Sequence, residues 1–235
     1  DGRALQVAEG LRLTLDATGN DLRIGQPQAD GLLRGQSRIR FAGVQNDDVL
    51  TIDTATIDAT TLKLTATGRY APGNTDVSLD GAFTDLSVLG QGYGGAGAAT
   101  ARVHDTPEGL RLETNVSGQD LQVGQQQADG LLRGQSRIDL AAVQNGERIT
   151  IDRLAVNATT LTLTASGRYD PNDTDLQAAF SFSDLGVLGS GFHGALTADA
   201  RALSEPGGIR ITADSRASGL ALGGQPQVNA LLKLS

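Results

Sequence analysis

The residues that could do chemistry are few, and their spacing limits what they can do. Two stretches, GQGYGG at 90–95 and GSGFHG at 189–194, satisfy the glycine pattern of a dinucleotide-binding turn. Such a site needs a strand before the glycines, an amphipathic helix after them and an acidic residue about twenty positions on. Here DLSVL before the first copy is turn-like, and AGAATARVHD after it alternates as a strand does. The spacing therefore predicts tight bends, with Val88, Leu89, Val187 and Leu188 beside them capping an apolar face. His104 and His193 lack the convergent partners that a nucleophile relay or a metal site requires, so both are expected in surface loops. Asp30, Arg34, Asp129 and Arg133 could grip a ligand from a loop, but a capped helical turn accounts for the same letters. No enzyme, cofactor or metal site is expected.

Bulk composition narrows the class further. The 235 residues carry a formal net charge of −8, with no Cys, Met or Trp and only five Phe and three Tyr. An acidic chain without clustered cations is a poor counterion for nucleic acid or for an anionic membrane surface. Without cysteine there is no disulfide framework and no thiolate metal site. Large aromatics usually supply the bulk of a thick core, so any core here must be thin and aliphatic. No apolar run approaches the roughly 20 residues of a membrane span.

What must position these residues is a repeat. Residues 10–108 lie over 109–207 without a gap, and about 54 of the 99 pairs are identical. A third copy begins at Gly208, which divides the chain into 1–9, 10–108, 109–207 and 208–235. Because the last residues break off inside that copy, the sequence reads as a piece of something longer. The dodecapeptide QADGLLRGQSRI occurs at both 28–39 and 127–138. Phe41 stands where the second copy has Leu140, Ile57 where it has Val156, and Tyr93 where it has Phe192. One face is kept apolar while charge varies on the other.

Within each unit the hydrophobic period is two, the strand signal. Leu62, Leu64, Ala66 and Tyr70 alternate with Lys63, Thr65, Thr67 and Arg69. Turn signals such as APGN, DPND and SEPGG recur about every ten residues, giving some seven strands per unit and 16–20 in all. The connections are too short for crossover helices, so an antiparallel meander is expected. Pro and Gly around the dodecapeptide predict short helical turns at 27–34, 126–133 and 226–233.

The half-apolar sheet must cover its face. Two sheets could close as a sandwich in each unit, or one sheet could curl lengthwise into an open trough. Medium-sized apolar residues and the absence of linkers favour the trough. The fold class expected is all-β, an elongated, curled antiparallel sheet forming an apolar groove, with one short helical turn per repeat.

The order of three blocks, SGxDLxVGQxQADGLLRGQSRI, TLTLTASGRY and DLxVLGxGxxG, resembles the repeat region of alphaproteobacterial TamB proteins of the AsmA-like superfamily. The blocks are 118–138, 160–169 and 184–194, with partners at 19–39, 61–70 and 85–95. The resemblance implies a periplasmic, taco-shaped β-groove anchored in the inner membrane. It also implies partnership with the outer-membrane barrel TamA through regions outside this sequence, and phospholipid movement between the two membranes. On that reading Leu13, Ile52, Leu62, Leu64, Leu112, Ile151, Leu161, Leu163 and Ile211 line a path for acyl chains. The competing reading is a structural or adhesin-type spacer with a closed core and no lipid.

Overall fold

The structure, a computed structural model, describes residues 1–23, 25, 27–189, 191–222 and 228–234. Fifteen strands form one sheet in strict sequence order, each antiparallel to the next. They are β1 (Gly2–Val7), β2 (Gly10–Asn20), β3 (Gln36–Asn46), β4 (Val49–Ala59), β5 (Leu62–Tyr70), β6 (Asp76–Phe83), β7 (Tyr93–Thr106) and β8 (Gly109–Val123), then β9 (Gln135–Asn145), β10 (Arg148–Ala158), β11 (Leu161–Tyr169), β12 (Asp175–Phe182), β13 (Phe192–Glu205), β14 (Gly208–Leu222) and β15 (Val228–Leu234). The sheet is curled and does not close into a barrel. No second sheet forms among the described residues, so the sandwich arrangement is not adopted. Fourteen spacings of about 4.8 Å make a body roughly 67 Å long.

Each unit supplies six strands rather than seven, and the described residues hold fifteen rather than the expected 16–20. The estimate ran high because β7, β8, β13 and β14 each extend over 14 or 15 residues. Alternation read in ten-residue windows divides such strands. The boundary between units at 108/109 falls in the tight turn joining β7 to β8, and these two strands pair along their length from Thr106↔Gly109 to Tyr93↔Val123. The units are thus continuous growth of one sheet.

Bulges recur at equivalent places. The ladder shifts between Ile52 and Ala55 on β4 and between Ile151 and Leu154 on β10. An extra residue on one strand bends it and increases local twist, so each unit adds a similar increment of curl.

The helical turns form at two of the three expected places: α1 (Pro27–Leu32) and α2 (Gln126–Leu131). The third, expected over 226–233, is corrected. Residues 228–234 form strand β15 against β14, from Ala213↔Leu234 to Leu220↔Val228, and 226–227 lie outside the described residues. A six-residue helix does not stand alone in water. α1 and α2 persist because each packs on a 3-10 turn some 55–60 positions later, η1 (Leu86–Leu89) and η2 (Leu185–Leu188). In the third copy Ala230 and Leu234 stand where the other two have glycine (Gly31/Gly130 and Gly35/Gly134), and the segment extends the sheet instead.

Candidate functional site

The two faces of the sheet can be read directly from the register. From β1 to β14 one row runs Ala4, Leu13, Gly43, Ile52, Gly68, Val77, Val103, Leu112, Ala142, Ile151, Gly167, Leu176, Ala202 and Ile211, each the Cα partner of the next. Every member is apolar or glycine. Leu64 and Leu163 lie in a second row on the same face, and Leu62 and Leu161 in a third. All nine residues assigned to the path from sequence therefore share one face. Leu62 is buried and Ile211 is 56% exposed; the other seven are half-buried. No second layer from the described chain covers the middle of this face.

One end of the face is capped, and the repeated dodecapeptide makes the cap. α1 and η1 leave the sheet after β2 and β6 and meet over its end, burying Leu33, Ser37, Ala59 and Leu62. α2 and η2 do the same in the second unit, where Leu185 and Ser136 are buried. Each unit fixes its cap with the same bonds. Asp21 Oδ1 accepts from the Gly35 N–H at 3.0 Å, and Asp120 Oδ1 from that of Gly134 at 2.8 Å. The Ser37 and Ser136 hydroxyls donate to the carbonyls of Leu33 and Leu132 at 3.1 and 3.2 Å. Gly35 and Gly134 turn the chain out of the helix at φ +73° and +79°, the left-handed conformation in which glycine carries no steric penalty. At the opposite end the face is open: Tyr70, Tyr169, Leu110 and Ile149 stand exposed there.

Of the four residues that might have gripped a ligand, Asp129 is tied into the cap. Asp129 Oδ1 accepts from the Val123 N–H at 2.6 Å, holding α2 to the end of β8, while Arg34 and Arg133 point to solvent. Val88, Leu89 and Val187 are half-buried within the caps; the side chain of Leu188 lies outside the description. The glycine-rich stretches lead from η1 and η2 into β7 and β13, with no helix after them, so the framework for a dinucleotide does not form. Ser190 lies outside the described residues. His104 and His193 sit in β7 and β13, not in loops. Each of these 14-residue strands runs past the point where turn signals seemed to end it. Among the described residues no cluster of metal-ligating side chains forms.

The other face is polar and laced with ion pairs. Arg102 forks onto Asp76 at 2.9 and 2.8 Å, and Arg201 forks onto Asp175 at 3.0 and 2.9 Å. Arg38 pairs Asp16 in the same bidentate way. In each case the guanidinium hydrogen bond holds the carboxyl below its usual range and raises the arginine. A carboxylate depressed in the folded state adds stability that is complete above its unfolded pKa and lost as pH falls through the folded value. Thermal melts should therefore be flat with pH above about 5 and decline below about 4. Replacing Asp76 and Asp175 together by Asn should make the acid decline shallower; an unchanged slope would remove these pairs as its cause.

Comparison with known family models, curated proteins and solved structures returned no match.

Sequence reasoning missed one part of the site. It placed Val88 and Leu89 near the apolar face but did not pair them with the dodecapeptide. The fixed distance from each QADGLLRG to the following DLxVLG, identical in both copies, carried that signal.

Proposed function

We infer that this chain is a length of β-groove whose aliphatic face accepts phospholipid acyl chains and lets them move across the strands. The carrying observation is the uninterrupted row of apolar residues and glycines from Ala4 to Ile211, whose middle no second layer among the described residues covers. Burying apolar surface releases about 25 cal/mol per Å², or about 0.8 kcal/mol per methylene, so an acyl chain gains by lying along this strip. Half-buried side chains and small residues between them offer contact without a closed pocket, which favours passage over retention. The polar face stays in water.

The resemblance to TamB proteins supports placing this groove in the periplasm of a Gram-negative bacterium. There it would belong to an inner-membrane-anchored protein that works with TamA and supports outer-membrane biogenesis. The test is site-specific photo-crosslinking in cells, with the probe at Leu163 and then at Thr164. The two positions are neighbours on β11 but lie on opposite faces. Phospholipid adducts at Leu163 and none at Thr164 are expected. Equal adducts, or none at either, would return the chain to the structural-spacer reading.

A further inference from the structure

The two ends of the strands differ in chemistry. At the end opposite the caps the strands join through seven hairpin connections: 8–9, 47–48, 71–75, 107–108, 146–147, 170–174 and 206–207. Five of these seven carry at least one carboxylate, and none carries a lysine or arginine. Asp170 and Asp173 are held by Arg148 and Arg168. Glu9, Asp47, Asp48, Glu108 and Glu147 are exposed and take part in no ion pair among the described residues. The arginines near this end, Arg12, Arg69, Arg111, Arg148, Arg168 and Arg210, alternate with residues of the apolar face and so stand on the polar one.

One step inward, the last rung of the apolar face has the same make-up in both units. Leu11, Gln45, Leu50 and Tyr70 are successive Cα partners in the first, and Leu110, Gln144, Ile149 and Tyr169 in the second. Both tyrosines are exposed, at 57% and 43%. Phenol and amide groups beside aliphatic ones suit a boundary that is dry on one side and wet on the other. Farther along β5 the same face is Ala66, Leu64 and Leu62, the last buried at the cap. From Leu62 to Gly68 that length is about 20 Å at 3.4 Å per residue. It exceeds the roughly 15 Å that one acyl layer occupies in a bilayer. From cap to hairpin, then, the order is aliphatic surface, neutral donor, carboxylate. A phospholipid with an ammonium group has the matching order: acyl chain, ester and phosphate oxygens, cation.

We propose that the groove selects phospholipids with an ammonium headgroup over those with a net anionic one. Headgroups lie along the hairpin rim and acyl chains run toward the caps. The proposal deepens the lipid reading and rests on it. Carboxylates without a cation of their own attract the ammonium and repel a headgroup whose phosphate is its only charge. Each attraction is that of an exposed ion pair, weak and screened by salt. The rim therefore sorts lipids that apolar burial already holds.

The test incubates the full chain with vesicles of equimolar phosphatidylethanolamine and phosphatidylglycerol carrying identical acyl chains. Mass spectrometry then gives the ratio of the two lipids captured by the chain. A twofold to fivefold excess of the ethanolamine lipid, roughly what one exposed pair contributes, is expected at low salt. It should fall toward unity at 1 M salt, where the screening length is about 3 Å. The triple variant Asp48→Asn, Glu108→Gln, Glu147→Gln should cut the excess by at least half. Thr65→Lys, Thr100→Lys, Thr164→Lys shifts the net charge equally on the exposed polar face and should keep the excess. Circular dichroism melts verify the fold of both. A ratio of one for the parent chain at low salt, or equal loss in the two triple variants, would overturn the selection while lipid capture stands. Capture of neither lipid would overturn the lipid reading and this inference together.

Discussion

Replacing Leu163 by Asp is expected to lower phospholipid crosslinking at the neighbouring Phe180 at least tenfold, while Thr164→Asp leaves it within about twofold. Leu163 lies between Val156 and Phe180 in the second apolar row, and Phe180 packs edge-to-face on Phe182 with ring centroids 5.6 Å apart. Removing the leucine side chain takes away about 2 kcal/mol of apolar contact. A carboxylate in its place must keep its water, since burying it unpaired costs far more. Each 1.4 kcal/mol is a factor of ten in occupancy, so the combined loss exceeds tenfold. The control lies one residue away on the wet face. If both variants crosslink alike, the apolar face is not the lipid path, whatever the shape of the sheet. Circular dichroism melts of both variants separate a blocked path from a lost fold.

Gly31→Ala and Gly130→Ala are each expected to destabilise the chain by about 1–3 kcal/mol, against the usual direction for glycine in a helix. Alanine is ordinarily the better helix former by about 1 kcal/mol. Here an added Cβ would lie inside van der Waals contact of the backbone carbonyl of Val88 or Val187. Backbone in a packed 3-10 turn cannot move aside as a flexible side chain would, so the helix must lift and expose Leu33 and its neighbours. A shift of about 2–4 °C in Tm per kcal/mol is normal for chains of this length. The two caps sit in different units and share no partner, so the double variant should lose the sum of the two. A rise in Tm for either single variant would mean that the caps are not seated as described. The third copy fits this account: Ala230 stands at the glycine position, and the segment is strand rather than helix.

The dodecapeptide shows where sequence reading was sound and where it stopped. Gly35 and Gly134, with Pro27 in the first unit, correctly marked a helical turn in two units, because those signals act locally through φ preferences. Pro226 misled at 226–233, where Leu234 stands in place of Gly35 and Gly134 and residues 228–234 pair with β14 as a strand. Likewise Leu163 and Thr164 were assigned to opposite faces from period two alone, since alternation along a strand is a property of the backbone. That Leu13, Ile52, Leu112, Ile151 and Ile211 fall in one row was not legible. A row depends on the register of each ladder and on bulges at β4 and β10, and a one-residue slip would turn a strand's side chains to the other face.

What the sequence determined by itself was the strand-rich class, the 99-residue period, the two-faced pattern and the absence of a clustered charge or thiol site. Each follows from composition or from contacts between residues close in the chain. Composition and the absence of linkers leaned toward one open sheet, and the tertiary structure decided it: no second layer among the described residues covers the middle of the apolar face, and the dodecapeptides of the two full units fold onto distant turns to cap its end. The caps rest on contacts between segments tens of residues apart, and local preference carries no information about those.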